Sequence, residues 1–273
     1  MGSVFPRRLS GRVARIRNHE VSHADLSGMR TTMVILAVAM LASGCLIQDR
    51  GVTPRDYIQA KAYTSWTIEV DSQSGAEPTQ SLLNFIDGRL TANVAKPDGI
   101  DFVRGTVPGS AKEWSISDIQ EFSREHKDQH TAAGRVTTHL LFLRGGTSED
   151  SDSSRVLGVT IGYDLIAIFP DNIAVACEAD PLSLFCETEP FTKSTTLHEF
   201  GHALGLVNHG TPMVTPHEAG SCGTEPDKGH SSSQQSVMYC AVDTNQIAVI
   251  FGDNPPDDFD ANDKADLRAV REK

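Results

Sequence analysis

The sequence predicts an α/β fold of the α+β kind, in which helices pack on a β-sheet. Short strand-like segments alternate with segments of helical spacing along the first half of the chain. Two further strand-like segments follow one another closely and lead into an amphipathic helix near residue 200. A chain with this order lays its strands side by side and covers them with helices. We therefore expect one domain built around a single sheet.

The individual elements are predicted from hydrophobic periodicity. Strands are expected where β-branched and aromatic residues alternate or form short apolar runs, and helices where apolar residues recur every three or four positions. The expected strands are 63–70, 99–107, 136–143, 155–161 and 165–169, and the expected helices are 79–94 and 115–126. A polar loop is expected at 145–154, because small and acidic residues dominate there.

The most informative stretch is the pattern H-E-x-x-H-x-x-G, formed by His198, Glu199, His202 and Gly205. Two histidines four positions apart lie on one face of a helix, so both imidazoles can bind one metal ion. A glutamate beside the first histidine can accept the proton of a water that the metal polarises. The pattern therefore indicates a zinc site at which Glu199 is the general base for peptide hydrolysis.

The same helix has an apolar side that includes Leu197 and Phe200, so a purely structural buried helix is the alternative interpretation. Either Thr192 or Ser194 is expected to cap its N-terminus, and Gly205 is expected to end it after about three turns. A glycine at this point lets the backbone turn sharply, so that a third ligand can return to the metal.

The third ligand is less certain than the first two. The simplest continuation of the pattern places a histidine at position 208, but this residue is Asn208, and an amide oxygen is a poor zinc ligand. Three histidines downstream, His209, His217 and His230, are the candidates, and Asn208 itself is the remaining alternative. His126 and His139 lie upstream and are expected to be structural or surface residues.

The N-terminal region predicts export. Residues 1–28 are rich in arginine without apolar periodicity, and translation from Met29 would omit them. From Met29 a basic start, an apolar run over 33–42 and small residues before Cys45 indicate a secretory signal covering residues 1–44. The run is too short to span a bilayer.

The end of this signal is similar to the lipobox of bacterial lipoproteins. That similarity implies that Cys45 becomes the lipidated first residue of a protein in the bacterial cell envelope. Residues 45–60 would then be a tether to the membrane, and residues 61–273 the folded domain. An ordinary cleaved signal with an incidental cysteine is the alternative.

The net charge limits the kinds of binding partner that we expect, and the cysteine count indicates disulfides. Residues 1–44 carry six basic and two acidic side chains, so their removal changes the net charge from -12 to -16. Nucleic acids and anionic membrane surfaces are therefore not expected as partners. The four remaining cysteines of an exported chain favour two disulfides. The pairs nearest in sequence are Cys177 with Cys186 and Cys222 with Cys240.

A second motif lies at His230 to Tyr239, where Val237-Met238-Tyr239 resembles the Met-turn of metzincin zinc peptidases. The eight-residue spacing between His230 and Met238 is similar to that of archaemetzincins. Ser231 and Ser236 occupy the positions of two cysteines in that family, so its second zinc is not expected here. Residues 205–213 are similar to a segment of bacterial lipoproteins described as membrane metalloproteases.

This resemblance implies a twisted mixed sheet, an active-site helix, and a C-terminal subdomain with the Met-turn and a final helix. It also implies one Zn²⁺ ion bound by His198, His202 and His230, with Met238 beneath it. Metzincins bind a protein or peptide substrate extended along an edge strand, which is expected at 155–162. The alternative function is a surface lipoprotein that keeps this fold as a binding module without turnover.

Overall fold

The computed structural model describes residues 51–151, 154–178, 187–222, 225–226, 228–244 and 246–273. The helices are α1 (Pro54–Ile58), α2 (Gln80–Asn93), α3 (Ile116–His126), α4 (Pro170–Cys177), α5 (Thr188–Ala203), α6 (Gln246–Phe251) and α7 (Ala261–Arg271), with a 3₁₀-helix at Cys240–Asp243. The strands are β1 (Tyr63–Gln73), β2 (Ile100–Val107), β3 (Lys112–Trp114), β4 (Gly134–Phe142), β5 (Gly145–Thr147), β6 (Gly158–Ile161), β7 (Leu165–Ile168), β8 (Ser221–Cys222) and β9 (Glu225–Pro226). Among the described residues, none of these helices has the length and apolar character that crossing a membrane requires.

The main sheet has the strand order β2-β1-β4-β7-β6. The strands β2, β1, β4 and β7 run parallel, and β6 runs antiparallel to β7 at one edge. The predicted α/β fold with a mixed sheet is therefore confirmed, and the segment expected to be the edge strand is at the edge. The strand itself is shorter than 155–162, because Val156 pairs with Thr244 instead of with β7.

The inner strand β1, which lies between β2 and β4, links the sheet to the active-site helix. Its Trp66 is fully buried between two other rings, with centroid distances of 4.9 Å to Tyr57 and 5.7 Å to Phe200. Tyr57 belongs to α1 and Phe200 to α5, so one aromatic cluster joins three elements. Aromatic side chains contribute large buried areas, so this cluster fixes α5 against the sheet.

The two helices predicted from apolar spacing are confirmed, and local hydrogen bonds explain where they begin. The Thr79 side chain accepts a hydrogen bond from the backbone N–H of Leu82 at the start of α2. Ser115 and Asp118 form a capping box at the start of α3. The side chains of Thr79 and Ser115 thus accept hydrogen bonds from backbone N–H groups of the first turn, which have no partner within the helix.

The active-site helix begins earlier than predicted, at Thr188 instead of near Thr192 or Ser194. The hydroxyl of Thr192 donates to the Thr188 carbonyl inside the helix, and that of Ser194 donates to the Pro256 carbonyl. Pro190 lies within the first turn, where proline removes no helical hydrogen bond. The expected caps were therefore wrong, because their side chains bond elsewhere.

The loop predicted at 145–154 contains the short strand β5, which pairs in parallel with β3. The Asp150 carboxylate organises the remainder of this loop. It accepts hydrogen bonds from the backbone of Thr147 at 3.0 Å, the backbone of Val156 at 2.9 Å and the Asn172 amide at 2.7 Å. These contacts fix the chain immediately before β6, so an apparently irregular loop positions the edge strand.

The tether expected at 45–60 is wrong for residues 54–58, which form α1. Pro54 begins this helix, and Tyr57 and Ile58 are fully buried. Residues 45–50 of the expected tether lie outside the described residues. The segment 54–58 was misread because only two of its five residues carry a large apolar side chain, too few to reveal a period.

Lys96 attaches α1 to the sheet. Its ammonium donates hydrogen bonds to the backbone carbonyls of Asp56 and Gln59, both at 2.6 Å, and of Tyr63 at 2.8 Å. Burial lowers the pKa of Lys96 to about 8, and the Asp56 charge opposes this shift. The side chain is therefore mostly protonated at pH 7 and can supply all three hydrogen bonds.

We predict that Lys96→Met destabilises the protein at pH 7, because three carbonyl groups lose a charged donor. An acceptor left without its partner in a buried site costs about 1–3 kcal/mol. Chemical denaturation of residues 46–273 measures the change in unfolding free energy. The matched control is Lys228→Met, because Lys228 is exposed. Equal stability of the two variants would contradict this role of Lys96.

Candidate metal centre

Helix α5 carries three functional side chains, His198, Glu199 and His202, in its C-terminal half. His198 and His202 lie one turn apart, with their Nε2 atoms 3.0 Å apart. Glu199 is 2% exposed and His198 is fully buried. The helix ends at Ala203, and Gly205 follows with a φ of +70°, a left-handed conformation that glycine adopts without strain. The chain therefore turns away directly after the second histidine, as predicted.

His230 completes the group of histidines. Its ring centroid lies 5.1 Å from that of His198 and 5.0 Å from that of His202. One ligand atom from each of the three side chains lies within 4.8 Å of those of the other two. Of the open candidates for the third ligand, the structure therefore brings His230 to the pair on α5.

The donor set of these three residues fits zinc. The Nδ1 atom of His198 lies 2.7 Å from the Val237 carbonyl, which can only accept a hydrogen bond, so this nitrogen carries the proton. The Nε2 atom is then the metal-binding atom, because a ring nitrogen that donates a hydrogen bond fixes the tautomer of the other. Burial, followed by the neighbouring histidines, lowers the pKa of His202 well below its ordinary value. Neutral imidazole is the form that binds zinc, and three histidines make a common catalytic zinc site.

Met238 lies in a turn that packs against α5, the helix of His198 and His202. Its side chain is fully buried, and a Cβ atom added to Gly201 would lie 2.1 Å from its sulfur. The helix can approach Met238 this closely only because residue 201 has no side chain. The backbone N–H of Ser231 donates to the Met238 carbonyl at 2.7 Å, so the turn also holds the residue after His230.

The chain between α5 and His230 takes a route that excludes two of the other candidates from the group. Val207 and Asn208 have φ angles of +51° and +63°, and Asn208 and His209 are exposed. The His209 ring is 5.9 Å from that of His202, farther than the His230 ring. His209 therefore lies at the rim of the site, and neither residue belongs to the group of three that can hold a metal.

His217 is also outside this group and has a structural environment. Its Nε2 atom lies 3.1 Å from Asp263 Oδ1 and 3.8 Å from Asp266 Oδ2, both on α7. Burial lowers the pKa of His217, but the Thr215 carbonyl and the two carboxylates together raise it by more. The net shift of the pKa is therefore upward. His217 therefore belongs to a buried ionic cluster with α7.

Ser236 connects this cluster to the Met-turn. Its hydroxyl accepts a hydrogen bond from the Met238 N–H at 2.8 Å and donates to Asp263. Burial raises the pKa of Asp263, and the hydrogen bond from Ser236 opposes that shift. Ser231, at the other cysteine position of archaemetzincins, accepts a hydrogen bond from the Ser233 N–H. The two serines thus make hydrogen bonds at positions where the resemblance would place thiolate ligands.

The two upstream histidines are structural, as expected. His139 is fully buried, with Nδ1 2.8 Å from the Ser123 hydroxyl and Nε2 3.1 Å from Asp71. It forms a second group of possible ligands with Asp71 and Glu69. Glu69 accepts hydrogen bonds from two backbone N–H groups, so this group is satisfied within the protein. The His126 ring lies against the Phe122 ring, with a centroid distance of 4.2 Å, and is not part of the histidine group.

Several sequence predictions stay predictions. Cys177 and Cys240 are buried side chains, but those of Cys186 and Cys222 lie outside the described residues, so the pairing is untested. Cys45 also lies outside the described residues.

Sequence reasoning missed the surroundings of Glu199. The Thr160 hydroxyl lies 2.7 Å from Glu199 Oε2 and 2.9 Å from the Glu199 carbonyl. Gly158 lies against the same side chain. Both residues are on β6, and a threonine or glycine in a strand carries no sequence signal for contact with a helix 39 residues later.

No protein-family model and no curated protein matches this sequence. The crystal structure of an archaemetzincin from Methanopyrus kandleri is similar, with 12% sequence identity and a TM-score of 0.46, over 77% of this chain and 97% of that chain. The crystal structure of a zinc-dependent peptidase from Methanocorpusculum labreanum (strain Z) is similar, with 12% identity and a TM-score of 0.43, over 73% of this chain and 99% of that chain.

Proposed function

We propose that this protein is a zinc-dependent endopeptidase of metzincin type. The observation that carries the proposal is the convergence of His198, His202 and His230, with Glu199 next to His198 on the same helix and Met238 packed against that helix. A purely structural helix does not require a third imidazole from a residue 28 positions away. The combination of three imidazole nitrogen donors and an adjacent carboxyl group is the composition of a hydrolytic zinc site.

The residues of the site have separate roles in this proposal. Zinc held by the three histidines supplies the positive charge that polarises a peptide carbonyl and makes water acidic. Glu199 accepts the proton of the attacking water and then delivers it to the departing amine. The hydrogen bond from His198 Nδ1 to Val237 keeps that imidazole oriented, with Nε2 left as the nitrogen that can bind the metal.

The substrate is proposed to bind along β6. One side of this strand pairs with β7, and among the residues that the structure describes no strand pairs with its other side. An extended peptide can pair with such an edge through backbone hydrogen bonds, which suits a protein or peptide substrate. Because β6 also contacts Glu199, a peptide on this edge would lie beside the general base.

We predict that Glu199→Gln lowers kcat/KM for a casein or peptide-library substrate by about 10²–10⁴-fold, the usual contribution of a general base. The amide keeps the shape of the side chain but cannot accept the proton of water. Zinc content, measured by atomic emission on the purified variant, is expected to stay at one ion per chain. Cleavage at the wild-type rate would assign the base to another residue.

The ligand assignment gives a second prediction. His230→Ala removes a direct metal ligand. Loss of a hydrogen-bond partner of a ligand lowers metal affinity by about 10–100-fold, so we expect His230→Ala to lower zinc affinity by more than that. His209→Ala is the matched control, since His209 is exposed at the rim, and it should retain stoichiometric zinc. His217→Gln should also retain zinc while lowering thermal stability, because Asp263 and Asp266 lose their buried partner.

The same metal analysis separates the enzyme from a binding module without turnover. If His230→Ala retains zinc while His217→Gln or His209→Ala loses it, the metal is bound by another set of ligands and the assignment of His230 is wrong. A wild-type domain without zinc affinity would favour the binding module.

We further propose that the protein is exported and held at the bacterial cell envelope by a lipid on Cys45. The proposal is supported by the basic start, the short apolar run and the small residues that precede this cysteine. In an oxidising compartment, the disulfides Cys177–Cys186 and Cys222–Cys240 are the pairs that we propose.

This proposal predicts that Cys45→Ala moves the full-length protein from the membrane fraction to the soluble fraction. The thiol is the attachment point of the acyl chains, and each buried methylene contributes about 0.8 kcal/mol to membrane binding. Immunoblotting of fractionated cells, with wild-type protein as reference, measures the distribution. Membrane retention of Cys45→Ala would contradict lipidation at this residue.

A further inference from the structure

Alternate residues of β6 face opposite sides of the sheet. Val159 and Ile161 pack on the apolar cluster that includes Trp114 and Leu165, on the side of α3. Successive side chains of a strand point to opposite faces, so Gly158 and Thr160 face the side on which α5 lies. The contacts of both residues with Glu199 agree with this alternation.

Thr160 makes the specific contact. Its hydroxyl can donate its single proton to Glu199 Oε2 at 2.7 Å or to the Glu199 carbonyl at 2.9 Å. Glu199 is 2% exposed, so little water competes for this carboxylate. A hydrogen bond is electrostatically stronger in such surroundings than in water.

Gly158 contributes by having no side chain. A Cβ atom at this position would lie 2.8 Å from Cγ, 2.9 Å from Oε1 and 3.1 Å from Cδ of Glu199. The backbone of Gly158 has no left-handed φ, so its conformation does not require glycine. The closeness of the carboxylate is therefore the physical reason that a side chain does not fit here.

We propose that Thr160 is a positioning residue for Glu199, and that Gly158 leaves the space in which this carboxylate is held. The inference rests on the proposed peptidase function, for which it identifies how the general base is oriented. Proton transfer requires the carboxylate within hydrogen-bond reach of the attacking water, so an orientation fixed before substrate binds favours catalysis. The strand proposed to bind the substrate is thus also the strand that holds the base.

The first test compares Thr160→Val with Thr160→Ser. Valine keeps the branched shape without the hydroxyl, and serine keeps the hydroxyl without the methyl group. We expect Thr160→Val to lower kcat by about tenfold or more with KM changed less than threefold, and Thr160→Ser to recover kcat to within about threefold of wild type. The control Thr192→Val removes a hydroxyl that bonds only within α5, and should keep the wild-type kcat.

Three results of this test would overturn the proposal. One is a kcat for Thr160→Val within threefold of wild type. Another is a rise in KM alone, which would make Thr160 a substrate contact. The third is loss of zinc from Thr160→Val, since a merely structural residue would disturb the ligands as well as the base.

Gly158→Ala perturbs the same carboxylate from the opposite direction. The added methyl group must displace Glu199, because the distances to its carboxyl atoms are too short for contact. We expect a lower kcat with zinc still stoichiometric. A wild-type kcat in this variant would show that the position of Glu199 near Gly158 is not needed for turnover.

A double-mutant cycle on the zinc-free protein tests the contact without any activity. The shift in unfolding midpoint caused by Thr160→Val should be smaller when Glu199→Ala has already removed the acceptor. Additive shifts would show that the two side chains do not interact and would overturn the proposal. Coupled shifts in a protein that hydrolyses no peptide would defeat the proposed function while confirming the contact, so the two failures are distinguishable.

Discussion

The hydrogen bond between His198 Nδ1 and the Val237 carbonyl is the contact on which the metal centre depends. It fixes the orientation of the first histidine and connects α5 to the Met-turn. The next carbonyl, that of Met238, accepts from the N–H of Ser231, which follows His230. Two adjacent backbone carbonyls therefore set the relative positions of ligands from different parts of the chain. This arrangement requires close approach to α5, which Gly201 permits.

The long segment between Gly205 and His230 is compatible with such a precise site because it is anchored independently of the histidines that bind metal. His217 and the backbone of Val214 contact Asp263 and Asp266 on α7. Buried charges are stable only when paired, so these contacts give the segment a defined path to the C-terminal helix. Through Ser236 the same helix also supports the Met-turn. The cluster of His217, Asp263 and Asp266 thus supports the segment that carries Ser231 and Ser236, the two positions at which archaemetzincins have cysteines.

The sequence predicted those parts of the structure whose physical cause is local. Periodicity found α2 and α3, and ligand spacing placed His198 and His202 on one helical face, since both follow from helix geometry. His230 was found through its spacing to Met238, a resemblance and not a geometric deduction. The contacts of Lys96 and Thr160 could not be predicted, because they join residues far apart in sequence through single hydrogen bonds. The helix start at Thr188 was missed because its preferred capping residues bond elsewhere.

The edge strand β6 contributes to both the core and the active site. One set of alternate residues on β6 packs into the core on the side of α3, and the other set, Gly158 and Thr160, contacts the base on α5. Among the described strands, none pairs with the outer edge of β6, where we propose that the peptide binds. On its inner side β6 pairs with β7, so backbone hydrogen bonds hold this edge to the sheet. A peptide bound in the proposed way would therefore lie along a strand that is fixed on one side by β7 and that contacts Glu199 through Thr160 and Gly158.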